Sequence, residues 1–331
     1  MKLALLGAGR IGRLHARILA DLVGGENVLV ADVDAAAAAE VAAANGATAV
    51  TIDDALAGGD AVVIAAATDV HADLIRTAIA AGKPTFCEKP LAKGLDESRE
   101  LVRIVESSGV PVQLGFQRRF DPAYREARRL IESGEIGTVY CIRLAGHDPA
   151  PPHEAYIPAS GGLFRDFSIH DWDVIRWLTG SEVFEVYAVG AVRGFEVFAK
   201  YGDVDTAVAT LTMENGVLGA LTVARHDPLG YDIRTEVFGS KDSVVVGLGP
   251  RTPIRSLEAD WVPPTVDAWN FFIDRFTSAY EAELAAFLRV ARGEIPSPCT
   301  ARDGLQAFIV AEAATRSLHD HRPVTIAEFG G

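Results

Sequence analysis

Residues 2–23, KLALLGAGRIGRLHARILADLV, decide the fold of the first part of the chain. The apolar run 2–6 is typical of a buried strand, and it leads through the glycine-rich stretch 7–12, GAGRIG, into a helical pattern. This is GxGxxG in the strand-to-helix context that indicates a dinucleotide site. Gly7 permits the tight turn, Gly9 lets the backbone approach a pyrophosphate, and Gly12 lets the helix pack closely on the strand. The start of that helix favours anionic phosphates.

An acidic residue at the right distance supports the same interpretation. Residues 27–31 predict a second strand that ends at Asp32, twenty residues after Gly12. A carboxylate there accepts hydrogen bonds from the adenosine ribose and repels a 2′-phosphate, and no arginine follows in the next three residues. The sequence therefore predicts NAD in preference to NADP. The alternative is a glycine-rich turn in a βαβ unit that binds no nucleotide.

Strands and helices alternate through residues 1–120, which predicts a Rossmann domain with a doubly wound parallel sheet. Ligands bind at the carboxyl ends of such strands. Thr68 and His71 follow the apolar strand 60–66, so we expect them at the cofactor, although His71 is equally suited to a capping or packing role. Lys89 follows the strand 85–87 and should point into the same crevice; the alternative is a solvated surface charge.

Residues 161–180, GGLFRDFSIHDWDVIRWLTG, predict one helix that ends at Gly180. In one helix, Asp166 and His170 are four residues apart and project from the same face. A carboxylate one turn before an imidazole can orient the ring and stabilise its protonated form. The pattern predicts a catalytic pair, and the alternative is a surface charge pair.

Composition excludes several classes of partner and site. The chain has 331 residues, which favours two domains, and a net charge of −14 without a basic block, which argues against nucleic acid or an anionic membrane. Its apolar runs are too short for a membrane span or a signal peptide, so we expect a cytoplasmic protein. The three cysteines are far apart and the histidines form no HExxH pattern, so no metal is expected.

A second domain is expected over residues 121–331. Residues 121–132 predict a helix capped by Asp121, and β-rich runs between 138 and 246 predict an α+β domain with a mostly antiparallel open sheet of five or six strands. The proline-rich stretch 149–158 is a candidate loop over the pocket, and helices are predicted at 271–292 and 300–317. Because one face of the sheet needs a cover, we expect a homo-oligomer, a dimer or tetramer, that packs sheet on sheet.

Over essentially its whole length the chain resembles the Gfo/Idh/MocA oxidoreductases. The motifs that carry this likeness are GAGRIG at 7–12, ATDVH at 67–71, CEKP at 87–90, GFQRRFDPAY at 115–124 and GGLFRDFSIHDWD at 161–173. Within the family the chain is most similar to inositol 2-dehydrogenases. That narrower likeness is carried by RRFDP at 118–122, HDPAPP at 147–152, GYDI at 230–233 and RFTSAYEAELAAFLRVARG at 275–293.

The resemblance implies an NAD(P)-dependent interconversion of alcohol and ketone on a cyclic polyol or sugar, for example the oxidation of myo-inositol to 2-keto-inositol. It also implies that Lys89, Asp166 and His170 form the catalytic group. One motif departs from the family pattern, because relatives often read Ser-Arg-Asp-Pro where this chain reads Gly-His-Asp-Pro at 146–149. That departure leaves the identity of the ring substrate open.

The expected contacts fall into two sets. The predicted cofactor contacts are Gly7, Gly9, Arg10, Ile11, Gly12, Asp32, Thr68, His71, Glu88 and Lys89. The predicted substrate contacts are an arginine of the RRFD motif (Arg118 or, preferably, Arg119), His147, Asp148 and Tyr231. Hydrogen-bonding side chains of this kind suit a ring with many hydroxyl groups.

Oxidation of a secondary alcohol without a metal needs a positioned base, and histidine is the natural choice. We assign His170 as the base, Asp166 as the group that orients it or holds a substrate hydroxyl, and Lys89 as the cation that stabilises the developing alkoxide. One alternative is a dehydrogenase or ketoreductase for another sugar, sugar acid or amino-inositol, which the shared motifs do not separate. Another is a nucleotide-sensing regulator without chemistry, which the retention of all three residues disfavours.

Overall fold

The computed structural model describes residues 1–330, and its contacts divide them into two compact units. The first unit combines Met1–Phe120 with Ser278–Gln306, and the second combines Asp121–Thr277 with the chain from Ala307 onward. The predicted division placed all of 121–331 in one domain, so the segment Ser278–Gln306 departs from it. The physical reason lies in the side chains of that segment, which pack on the first sheet as described below.

The first unit is built on a parallel sheet of six strands. The strands are β1 (Leu3–Leu6), β2 (Val28–Ala31), β3 (Thr48–Ala49), β4 (Ala61–Ile64), β5 (Thr85–Glu88) and β6 (Val112–Gly115). The helices are α1 (Arg10–Val23), α2 (Ala35–Ala44), α3 (Ile52–Gly58), α4 (His71–Ala80) and α5 (Leu95–Ser108). The strand order β3-β2-β1-β4-β5-β6, with every pair parallel, confirms the predicted Rossmann-type sheet.

The late segment Ser278–Gln306 covers the β5–β6 side of this sheet. The ring of Phe287 lies 5.8 Å from that of Phe86, and the Gln113 side-chain amide donates to the Glu283 carbonyl at 3.1 Å. The amide of Leu114 donates to the carbonyl of Cys299 at 2.9 Å. These long-range bonds satisfy groups at the sheet edge that would otherwise need water.

The second unit holds a seven-stranded sheet. Its strands are β7 (Val139–His147), β8 (Val183–Ala191), β9 (Thr206–Met213), β10 (Leu218–Ala224), β11 (Asp232–Gly239), β12 (Ser243–Val246) and β13 (Val324–Thr325). Its short and medium helices are α6 (Pro122–Glu132), α7 (Ile157–Ser160), α8 (Leu163–Asp166), α9 (Ile169–Thr179) and α10 (Val197–Lys200). Two long helices, α11 (Phe272–Ala291) and α12 (Ala301–Asp320), contribute residues to both units.

The order of the second sheet is β12-β11-β7-β10-β9-β8-β13. Only β7 and β10 pair in parallel, so the predicted mostly antiparallel sheet is confirmed, with one strand more than the upper expectation. Helix α9 packs on one face, where a Cβ on Gly219 would lie 2.6 Å from Ile175 Cδ1. The other face carries exposed apolar side chains, among them Tyr187, Val208 and Leu218.

The predicted single helix over 161–180 is wrong, because the structure breaks it at Phe167 and Ser168 into α8 and α9. The Ser168 amide bonds to the Leu163 carbonyl, and the carbonyl of Phe164 instead accepts the Trp172 indole N–H at 3.2 Å. A buried indole needs a hydrogen-bond acceptor. Its demand for the Phe164 carbonyl interrupts the helical ladder, so Asp166 ends one helix and His170 is the second residue of the next.

The long helices bear on two further expectations. Thr300 Oγ1 accepts the Asp303 amide at 3.2 Å and the Thr300 amide donates to Asp303 Oδ2 at 2.7 Å, which confirms the predicted cap at the start of α12. Among residues 1–330, no helix combines the length and the hydropathy that crossing a membrane requires.

Candidate active site

The glycine loop of the first unit has the shape that a pyrophosphate needs. Gly7 has φ +111°, and a Cβ there would lie 2.5 Å from the Ala65 backbone. A Cβ on Gly12 would collide with the Gly7 carbonyl oxygen, whereas one on Gly9 would meet nothing within 4 Å. The loop is therefore closed towards the sheet and open at Gly9. Within the described residues no side chain caps α1, whose N-cap is Gly9. The N-terminus of a helix favours an anion.

Asp32 ties the end of β2 to this loop. Its Oδ2 accepts the Ala8 amide at 2.6 Å and its Oδ1 accepts the Asp34 amide at 2.9 Å. The side chain is half-buried, and the neighbouring Val33 is 93% exposed. Asp32 thus has a structural task beside its predicted ribose contact, which stays a prediction.

Replacing Asp32 by alanine is expected to weaken NADH binding by about 1.5–3 kcal/mol, the usual worth of a charged hydrogen bond. It should weaken NADPH binding less, because the repulsion of the 2′-phosphate is removed as well. Fluorescence titration of both reduced cofactors measures the ratio. Asp53→Ala, at an exposed acid in the first turn of α3, is the control. An unchanged ratio of the two affinities in Asp32→Ala would count against the ribose contact.

The His71 side chain is buried, with 1% exposure, and both of its ring nitrogens lie close to backbone carbonyls. Its Nδ1 lies 2.8 Å from the Pro90 carbonyl and its Nε2 lies 3.1 Å from the Ala66 carbonyl. The ring therefore links the chain after β4 to the chain after β5, which favours its packing role over direct contact with a cofactor. Thr68 begins a 3₁₀ turn, Thr68–Val70, and is half-buried.

Glu88 is the last residue of the buried strand β5, and Lys89 directly follows it. Glu88 Oε1 lies 2.6 Å from His15 Nε2, and His15 is fully buried in α1. The carboxylate of Glu88 is thereby committed to the interior of the unit. Lys89 is half-buried, and the peptide bond between it and Pro90 is cis. The roles of both residues towards the cofactor stay predictions.

Arg119 is held inside the first unit. Its Nη2 lies 2.9 Å from Asp303 Oδ1, and its Nη1 donates to the Pro298 carbonyl at 3.2 Å. Burial by itself raises the pKa of Asp303, but the Arg119 charge and the bonds from Thr300 outweigh it, so the pKa is lowered. The guanidinium thus fixes the start of α12, and its contact with substrate stays a prediction.

Replacing Arg119 by methionine is expected to lower the free energy of unfolding by about 1.5–3 kcal/mol, the worth of a charged hydrogen bond. Because the pKa of Asp303 is lowered in the folded protein, the wild-type contribution is complete above the unfolded pKa and is lost as pH falls through the folded one. Urea unfolding at several pH values measures both effects. Arg302→Met removes the neighbouring exposed pair with Glu106, and about 1 kcal/mol or less is expected there. Equal losses in the two variants would contradict the role assigned to Arg119.

In the second unit, Asp166 has both carboxylate oxygens engaged. Its Oδ1 accepts the Tyr156 hydroxyl at 2.9 Å, and its Oδ2 accepts Arg225 Nη2 at 2.9 Å. Arg225 Nη1 also lies 3.4 Å from Asp148 Oδ2. The structure therefore brings together two predicted site residues, Asp166 and Asp148, through an arginine that links them. His170 is half-buried at the start of α9, which packs on β7.

His147 ends β7 and Asp148 directly follows it, and the two side chains have different partners. Asp148 approaches Arg225. His147 instead has its Nδ1 3.6 Å from Asp227 Oδ2 and 3.7 Å from Asp232 Oδ2. The structure therefore does not bring these two predicted substrate residues to the same partners.

Tyr231, the fourth predicted substrate residue, is 5% exposed and immediately precedes β11. Its amide donates to the Trp269 carbonyl at 2.6 Å, which fixes the backbone of the loop that carries it.

Two residues of the Asp166 cluster were missed by sequence reasoning. Arg225 directly follows β10, whose buried Leu221 and Val223 alternate with more exposed residues, so the period of two places Arg225 on the buried side. That alternation was the available signal. Tyr156 lies in the predicted proline-rich loop, but nothing in the local pattern identifies Asp166 as its partner.

Comparison with known families assigns both halves of the chain. Residues 1–116 match a family model described as oxidoreductase family, NAD-binding Rossmann fold, and residues 124–245 match one described as GFO/IDH/MocA C-terminal domain. The first match confirms NAD as the cofactor that the glycine loop and Asp32 predict.

Relatives match over nearly their whole length. A protein of Bacillus subtilis (strain 168) named uncharacterized oxidoreductase YrbE is 40% identical over 326 residues, which cover 97% of this chain and 95% of the relative. An inositol 2-dehydrogenase of Rhizobium meliloti (strain 1021) is 38% identical over 332 residues, 99% of each chain.

Solved structures agree with these relatives. A myo-inositol dehydrogenase from Corynebacterium glutamicum ATCC 13032 superposes with a TM-score of 0.89 at 35% identity and covers 98% of both chains. A scyllo-inositol dehydrogenase from Lactobacillus casei, solved with bound NAD(H) and scyllo-inositol, superposes with a TM-score of 0.86 at 31% identity over 99% of both chains.

Proposed function

This chain belongs to the Gfo/Idh/MocA family and is an NAD-dependent oxidoreductase, and we propose that it oxidises a secondary hydroxyl group of an inositol ring to the ketone. The proposal is supported by the polar cluster of the second unit, in which Arg225 links Asp148 and Asp166. A ring with a hydroxyl on every carbon needs several fixed acceptors. Relatives named inositol 2-dehydrogenase, at 38% and 33% identity, support the same substrate class.

In the proposed reaction, NAD, when bound, accepts the hydride at its nicotinamide ring. The residues of this chain handle the proton and the charge. His170 takes the proton of the reacting hydroxyl, and the Lys89 ammonium stabilises the negative charge that develops on that oxygen. Asp166 and Asp148 accept hydrogen bonds from other ring hydroxyls and so select the carbon that reacts.

The glycine loop supports the cofactor half of this proposal. The open side of Gly9 and the N-terminus of α1 fit a pyrophosphate, and Asp32 is the acidic residue that the Rossmann sequence pattern expects after the second strand. The residues that would hold NAD are those of this loop together with Asp32, Thr68 and Lys89.

The exposed face of the second sheet supports assembly with a second copy of this chain. Tyr187, Val208 and Leu218 are 39–53% exposed on that face. Exposed apolar surface on a sheet favours an interaction with another protein surface. We infer a homo-oligomer, a dimer or tetramer, built sheet on sheet. The molar mass in solution by light scattering tests this, and a monomer at micromolar concentration would exclude it.

The substrate is tested by NADH formation with purified protein and a panel of polyols: myo-, scyllo- and D-chiro-inositol, glucose and several sugar acids, with NADP in parallel. Turnover of one or more inositols with NAD is expected. Turnover of sugars alone would keep the reaction type and replace the substrate. Binding of NADH without turnover of any panel member would refute the inositol proposal.

A further inference from the structure

Arg225 is a buried cation surrounded by carboxylates. Its side chain is 3% exposed; besides Asp166 and Asp148, the carboxylate of Asp203 acts on its charge. Burial by itself lowers the pKa of Arg225, but the attraction of the three carboxylates outweighs it, so the pKa is raised. The Cζ atom of Arg225 also lies 5.5 Å from the centre of the Phe167 ring. Arg225 therefore keeps its charge at any working pH.

Two hydrogen bonds orient the carboxylate of Asp166, because Arg225 donates to one oxygen and Tyr156 to the other. Tyr156 is itself fixed through its 3₁₀ turn, Glu154–Tyr156. Glu154 Oε1 bonds to Lys200 at 2.6 Å and to the Tyr201 hydroxyl at 3.0 Å. The loop, the arginine and α8 together set the direction of the remaining lone pairs of Asp166.

The backbone around Arg225 is held without its guanidinium. The Asp148 amide donates to the Ala224 carbonyl at 3.0 Å, the Asp227 amide donates to the Asp148 carbonyl at 2.6 Å, and β7 and β10 pair along seven residues. The guanidinium is thus not needed for strand register, and its bonds go to carboxylates. Burying a cation costs desolvation free energy, and strand register does not require this guanidinium.

We propose that Arg225 is a positioning residue that keeps Asp166 and Asp148 ionised and at a set separation, as acceptors for two hydroxyls of one ring. The proposal rests on the proposed function and deepens it. A planar guanidinium presents N–H groups in a rigid fork, so it holds two carboxylates at a defined spacing. Without that cation, the carboxylates of Asp148 and Asp166 repel each other, and a carboxylate beside a like charge binds a proton more readily. A protonated carboxyl presents a donor where the ring hydroxyl needs an acceptor, and His170 remains the group that takes the reacting proton.

The test compares Arg225→Met and Arg225→Lys with wild type. The measurements are kcat, KM and the pH profile with NAD and the polyol that wild type oxidises best, and the binding of that polyol to the NADH complex by calorimetry. Arg225→Met is expected to lower kcat/KM about a hundredfold, as a misplaced acceptor does. The acid limb of the pH profile of Arg225→Met should move to higher pH, because carboxylates without a neighbouring cation protonate more readily. Arg225→Lys keeps the charge but not the fork, so it should show an intermediate kcat/KM with the wild-type acid limb.

Arg275→Met is the matched control, because it breaks another largely buried pair of the second unit, 2.8 Å from Asp121. It should leave the pH profile unchanged. NADH affinity, which depends on the first unit's glycine loop, should be the same in all variants. If Arg225→Met does not fold, the variants Arg225→Lys and Tyr156→Phe test the proposal in its place. Both should lower kcat/KM and weaken polyol binding. Wild-type kcat/KM in Arg225→Lys, or an unmoved acid limb in a folded Arg225→Met, overturns the proposal. Inactive wild-type protein that still binds NADH refutes the proposed function instead.

Discussion

Replacing His170 by alanine is expected to lower kcat by about two to four orders of magnitude, the usual contribution of a general base. Hydride departure leaves a ketone only if the hydroxyl proton is also removed, and Asp166 is poorly placed to take over. Both of its oxygens already accept hydrogen bonds, one from Tyr156 and one from Arg225. The loss should appear in kcat, while NADH affinity stays at the wild-type value. Steady-state kinetics with the best polyol and fluorescence titration of NADH measure the two quantities.

Two comparisons make the test of His170 specific. His319→Ala removes an exposed histidine of α12 and should leave kcat unchanged. His170→Gly should regain part of its activity when imidazole is added, because the free base can occupy the space of the lost ring. Turnover near the wild-type rate in a folded His170→Ala would rule out this histidine as the base.

Replacing Lys89 by alanine is also expected to lower kcat by about two to four orders of magnitude, and with it kcat/KM. In the proposed reaction the Lys89 ammonium stabilises the negative charge on the reacting oxygen, and that charge is largest in the transition state. An interaction made only in the transition state raises kcat more than it tightens ground-state binding. The pH dependence of kcat in wild type and variant, together with the KM for the polyol, separates this effect from a simple loss of binding.

Lys93→Met is the control for Lys89, since Lys93 is an exposed lysine four residues further along the same unit. It should behave as wild type. Lys89→Met keeps the length of the side chain and removes only the charge, so it should resemble Lys89→Ala. If both Lys89 variants raise KM alone and leave kcat intact, the lysine holds the ground state and not the transition state.

Local patterns predicted the fold well where each element is defined by its own residues. The GxGxxG stretch, the apolar run 60–66 and the alternation of 217–225 each became the expected element, because periodicity and turn chemistry act over a few residues. The helix over 161–180 failed for a reason that lies outside local periodicity. Trp172 competes for the Phe164 carbonyl, and sequence spacing cannot show which acceptor a buried indole will find.

The sequence predicted which residues belong to the candidate site. It did not predict which partners those residues contact. Arg119 and His71 were expected to face ligands, yet the first is bonded to Asp303 and the second to two backbone carbonyls. His147 and Asp148 are neighbours in sequence, yet His147 lies near Asp227 and Asp232 whereas Asp148 bonds to Arg225. Each outcome depends on a partner that is distant in the chain, in the case of Arg119 184 residues away.

The sequence by itself determined the parallel sheet of the first unit, its NAD site and the kinds of residue available for chemistry, because these follow from short patterns of glycine, charge and hydrophobic period. Only the tertiary structure decided which of those residues meet. The tertiary structure groups Ser278–Gln306 with the first unit and divides the predicted catalytic helix into two. It also places Arg225 between Asp148 and Asp166. The physical reason is that a buried charge or polar group must find a partner wherever the fold supplies one, and that partner is set by packing across the chain.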